Sequence, residues 1–118
     1  MREEDLRVLQ VKVSRSQETL LEEIGASLCE TEGFDLRTLS AAELRSRAER
    51  WLELREASFV QKICKEWNFS EKVKDPRYQD NVFLAGAIAD LIAGLVTKVA
   101  PFTVAAFLVK RGLERLCR

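Results

Sequence analysis

A chain of 118 residues without a single histidine has few routes to acid–base chemistry at neutral pH. The usual general base is missing, and with it nucleophile–imidazole pairs and zinc sites that need an imidazole ligand. Three cysteines remain, Cys29, Cys64 and Cys117, widely separated and with no C-x-x-C pair. A catalytic thiol among them would need another activator, such as a helix N-terminus or a lysine. Each is instead expected to be structural, with Cys64 buried on an apolar stripe and Cys117 near the exposed tail. An odd, scattered set makes no disulfide framework, and the charged start Met1-Arg2-Glu3-Glu4-Asp5 has no signal-peptide character, so the expected location is cytoplasmic.

The other chemistry-bearing groups are equally spare. Glu3-Glu4 and Glu22-Glu23 are adjacent pairs that diverge on a helix. Gly86 and Gly94 have neither the spacing nor the lysine of a phosphate loop. The expectation is therefore no enzyme, no metal, no cofactor and no small-molecule substrate.

Two places concentrate what is left. Ala85, Ala89 and Ala93 form a small-residue edge, with Asp90 beside it, along which two helices can approach closely. Arg111, Arg115 and Arg118 fall at i, i+4 and i+7, on one helical face, and offer a patch for phosphate or an acidic protein surface. A solvated helix end is the plainer account of that patch, since cations without interleaved aromatics are ordinary and no nucleic acid is expected. These seven residues are the candidate interface.

Charge is balanced overall at 19 basic and 19 acidic residues, but unevenly along the chain. Residues 1–50 hold 8 basic against 11 acidic and residues 82–118 hold 5 against 2. The two ends are expected to complement each other, within the fold or between copies. Apolar residues at 47% and only 2 Pro and 5 Gly argue for a globular helical domain over a many-turned β-sandwich.

These groups must be placed by helices. Leu6, Leu9, Val13, Gln17, Leu20, Ile24 and Leu28 recur at close to 3.6 residues and predict one helix over about 3–30. The β-branched stretch at 7–13 leaves a strand there as the alternative. Residues 31–39 read as a loop, with Gly33 as the stop and Phe34, Leu36 and Leu39 folding back onto the core. Ser40-Ala41-Ala42-Glu43 fits a capping box, the clearest start signal in the chain.

From there the pattern predicts helix over 41–67, either continuous or hinged near Glu56-Ala57-Ser58. Trp51, Phe59 and Trp67 are spaced to face the core from it. Asp75-Pro76 predicts the start of a helix over about 77–98, and Pro101 the start of a second over about 101–117. Spanning a bilayer with 82–109 would bury Asp90 and Lys98, at roughly 2.5–3.5 kcal/mol for each charge. A buried hairpin is less costly.

These elements predict an all-α fold, a compact bundle of four to five helices in a single domain over 1–118. The apolar C-terminal hairpin, about 77–117, is central, and the amphipathic helices 3–30 and 41–67 wrap it. The function expected is that of a non-enzymatic adaptor or regulatory module that binds another protein or itself. The alternative is a membrane-associated protein that uses residues 82–109.

Overall fold

The structure is a computed structural model that describes residues 2–118, and 80% of it is helix, with no strand among the described residues. The periodic stripe at the N-terminus does form helix, so residues 7–13 are not a strand. It is broken once, into α1 (Glu3–Ser14) and α2 (Gln17–Thr31). The break follows from Ser16, whose extended backbone and hydroxyl cap α2, with the Thr19 amide donating to Oγ at 3.1 Å. A single helix over 3–30 is therefore corrected to two. Leu9, Leu20, Ile24 and Leu28 keep the core-facing side across the break, while Leu6 lies at the surface.

α2 ends as Gly33 predicts. Gly33 takes φ +84°, its amide donates to the Glu30 carbonyl, and the Phe34 amide donates to the Cys29 carbonyl. Phe34 does not fold back. It is exposed beneath the Arg47 guanidinium, which sits 4.5 Å from the ring centroid, whereas Leu36 and Leu39 are half-buried.

α3 (Ala41–Phe59) starts at Ser40 as expected, with the Glu43 amide donating to Ser40 Oγ at 3.1 Å; of the capping box only this half forms. Replacing Ser40 with alanine should lower stability by about 1 kcal/mol, read as a fall in the melting midpoint. An unchanged midpoint would mean that the cap contributes nothing. No hinge interrupts α3 at Ser58. The helix runs on into a π-helical segment, Val60–Glu66, in which the Trp67 amide reaches the Lys62 carbonyl at 3.0 Å. Asn68, at φ +60°, then turns the chain into α4 (Phe69–Lys72). Trp51 and Phe59 are buried, and Trp67 is half-buried, edge-on to Tyr78 with ring centroids 5.1 Å apart.

Asp75-Pro76 starts a short 3-10 turn (Pro76–Gln79) rather than the long helix expected there. Both Asp35 and Asp75 accept from the amide and guanidinium two residues ahead. Hydrogen bonds from the Arg37 and Arg77 side chains are the main cause of carboxyl pKa values held below the ordinary range. The cap of the next helix is Asp80, which accepts from the Val82 amide at 2.9 Å. α5 therefore spans only Asn81–Ile92 and gives way to a 3-10 turn, Ala93–Leu95, and an irregular stretch to Ala100. Gly94 and the β-branched pair Val96-Thr97 are poor helix formers, which accounts for the early stop.

Pro101 opens α6 (Pro101–Arg111) from an extended Ala100, as expected. Gly112, at φ +110°, separates α6 from the single turn α7 (Leu113–Leu116), so the helix expected over 101–117 is two pieces.

The buried apolar residues form one contiguous cluster drawn mainly from α1, α2, α3, α5 and α6, with Ile63 of the π segment, Phe69 of α4, Val96, Val99 and Leu113 of α7. α2 packs against both α3 and α6, while α5 packs on α6 and α1. α6 is the most enclosed helix: all six residues from Thr103 to Leu108 are buried. No helix of the described residues is long and apolar enough to cross a membrane.

Candidate functional site

Helices α3 and α6, both carried on α2, leave a groove between them. Its volume is about 520 Å³. The floor is apolar, from Leu52 and Phe59 of α3, Phe107 and Leu108 of α6, and Leu116 of α7. Helical spacing sets the rim. Glu49, Glu53 and Glu56 fall at i, i+4 and i+7 on α3, so all three line one wall. Arg111 and Arg115 line the other, and Gln17 of α2 closes one end, its amide donating to the Lys110 carbonyl at 3.1 Å.

The two walls are tied at two points. At the first, the Arg111 guanidinium pairs with both oxygens of Glu49 and stacks 4.4 Å from the Phe107 ring centroid. Both charged side chains are about a third or more exposed (40% and 34%), so the pair fixes geometry more than it stabilises the fold. At the second, beyond Phe59 and Leu116, a disulfide joins Cys64 of the π segment to Cys117 just after α7. Glu53, Glu56 and Arg115 have no ion-pair partner among the described residues, so their charges stand at the groove's edge.

The disulfide corrects the expectation that all three cysteines are unpaired. Only Cys29, fully buried in α2, is free, and Cys64 is half-buried rather than core. The scattered spacing that suggested a reducing compartment is thus spacing that the fold brings together, and that ground for a cytoplasmic location is removed.

The seven residues of the expected interface are dispersed. Ala85 and Ala89 are buried at 0% and 2%, and there the small edge of α5 packs within the chain itself. Asp90 and Ala93 are exposed, outside the groove. Two of the three arginines stay together: Arg111, engaged by Glu49, and Arg115 line the same groove, while Arg118 is exposed outside it. The ionic link between Arg111 and Glu49 does join the basic end to the acidic half within one fold.

Sequence reasoning missed the acidic wall. The signal was present, because Glu49, Glu53 and Glu56 share one face of a helix that the capping box had already located. They were hidden among the many charges of a solvated helix until a facing wall was known. No protein-family model, curated protein or solved structure matches this chain.

Proposed function

We propose that this chain is a non-enzymatic protein-interaction module, of adaptor or regulatory kind, whose α3–α6 groove takes an apolar-faced helical segment of a partner protein. The reading rests on one observation: an open trough over five apolar side chains, four of them buried, whose rim carries Glu53, Glu56 and Arg115 without ion-pair partners among the described residues. Helix-in-groove recognition needs that combination, apolar anchors below and charges at the edge to set register and exclude wrong partners. Glu53 and Glu56 favour a partner with lysine or arginine flanking its apolar stripe. The missing histidine argues in the same direction, away from acid–base chemistry.

The bundle that presents the groove is best read as four to five principal helices around a central α5–α6 hairpin, since α5 and α6 pack on each other and under α1 and α2. A cytoplasmic setting belongs to the same reading. There a disulfide is ordinarily transient and redox-sensing rather than permanent.

Panning a displayed library of amphipathic helical peptides against the chain tests the proposal. Selected peptides should carry apolar residues at helical spacing with basic flanks. The double reversal Glu53→Lys and Glu56→Lys should weaken them about tenfold or more. An empty selection, or peptides indifferent to both reversals, would remove the groove as the binding surface. Light scattering after size exclusion, across a roughly tenfold dilution, then asks whether the occupant is a second copy. A dimer that the reversals dissociate would assign it so, and a monomer would leave the groove to a heterologous partner.

A further inference from the structure

We infer that the Cys64–Cys117 disulfide is a reducible clasp that holds α7 in place as one wall of the groove. The inference concerns the regulation of the proposed docking surface, and so rests on that reading for its consequence though not for its geometry. α7 is a single turn, too short to be stable as an isolated helix. It follows Gly112, and of its residues only Leu113 is buried. Glu114 and Arg115 are exposed, while Leu116 and Cys117 are half-buried. Its main helix neighbour is α6, to which it is joined; Leu113 lies in the core, and Leu116 and Cys117 pack against the core's edge. Apart from the partial packing of Leu116 and Cys117 and one turn of backbone hydrogen bonds, the covalent link is what fixes residues 114–117, and those residues bring Arg115 and Leu116 to the groove.

The two ends of the bond differ in what they are attached to. Cys64 belongs to the π segment, continuous with the 19-residue α3 and packed on α5. Cys117 follows α7, a four-residue turn set off from α6 by Gly112. Opening the bond releases α7 and leaves α3 where it is. Access is also asymmetric among the cysteines. Cys64 and Cys117 are partly exposed and open to a reductant, whereas Cys29, at 0% exposure, is shielded from exchange. The system has two states, because the third thiol, Cys29, is too buried to scramble them.

The chemistry is thiol–disulfide exchange with a dithiol reductant. A thiolate of the reductant attacks one sulfur, the S–S bond breaks, and a mixed disulfide forms. The second thiol of the reductant then displaces the protein sulfur. Two electrons and two protons pass to the chain, giving Cys64 and Cys117 thiols, and the reductant leaves as its own disulfide. In the oxidised state the groove has its α7 wall. In the reduced state Arg115 and Leu116 leave it.

The test is hydrogen exchange on the full chain with and without dithiothreitol, thiol state being confirmed by alkylation. The Arg115, Leu116 and Cys117 amides, bonded to the Gly112 and Leu113 carbonyls, are the reporters. Reduction should speed their exchange about tenfold or more while α1–α6 change by less than about twofold. Cys117→Ser should give the same pattern without reductant. Unchanged exchange in α7 would overturn the clasp. So would loss of protection along the whole chain, which would make the bond a staple of the entire fold. Peptides selected on the oxidised chain should bind the reduced chain at least about tenfold more weakly. If α7 opens and the peptides bind both forms alike, the clasp stands and the groove reading fails.

Discussion

Gly25→Ala should lower the stability of this chain by about 2 kcal/mol, a fall of roughly 5–10 °C in the thermal midpoint followed by circular dichroism. Gly25 is buried in α2 where that helix crosses α3. A Cβ built there would lie 2.9 Å from Leu44 Cα, 2.7 Å from its carbonyl carbon and closer still to its carbonyl oxygen. All three are backbone atoms near the start of α3, so no rotamer change relieves the clash and one helix must move. Overpacking of this kind costs ~1–3 kcal/mol or more, and the better helix propensity of alanine offsets only about 1 kcal/mol of it. Gly94→Ala is the matched control. Its Cβ would meet nothing within 4 Å, so the same substitution should be neutral or stabilising by up to about 1 kcal/mol. Equal effects at the two sites would mean that α2 and α3 are not in close contact.

Gly25 also shows where reading the chain stops short. A lone glycine inside a helical stripe registers only as a weak helix former, and the reason for it is a carbonyl on another helix. Features decided within four residues were legible: the Ser40 cap, the stop at Gly33, and the extended Ala100 before Pro101. Two further local caps were missed in the sequence. Ser16 caps α2, and the apolar stripe is interrupted at Gln17 beside it but resumes in phase, so the 3.6-residue period carried the prediction across the break. Asp80 competes with Asp75-Pro76 as a helix start and prevails, because Pro76 leads only into a 3-10 turn.

The pairing of Cys64 with Cys117 is of another kind. The two are 53 residues apart, and nothing near either one indicates the other. The groove likewise exists only once α2 has set α3 and α6 side by side. What was legible of the candidate site was Arg111 and Arg115; the wall they face was not.

Phe107→Ala carries the largest expected loss, about 3–5 kcal/mol, measured as the shift of the urea midpoint at constant slope. Against the ~5–15 kcal/mol that holds an ordinary domain together, this is about a fifth of the total at the least. The ring has 0% exposure in the most enclosed stretch of α6. It also forms part of the groove floor and lies under the Arg111 guanidinium that holds Glu49 across the groove. Removing it leaves a cavity that helices on both sides must collapse to fill. Leu54→Ala, on the outer face of α3 at 76% exposure, deletes a comparable apolar side chain and should stay within about 0.5 kcal/mol.

Phe107→Leu separates the two roles of the ring. Much of the volume is kept, so packing loss should be only about 1–1.5 kcal/mol, while the guanidinium loses its aromatic face. Combined with Arg111→Ala, it should show a coupling of about 0.5–1 kcal/mol. If Phe107→Ala costs no more than Leu54→Ala, the floor yields easily, and a surface that yields is poorly organised for binding. A full cavity cost would instead make the floor rigid, and a rigid floor spares a partner the entropy of ordering it.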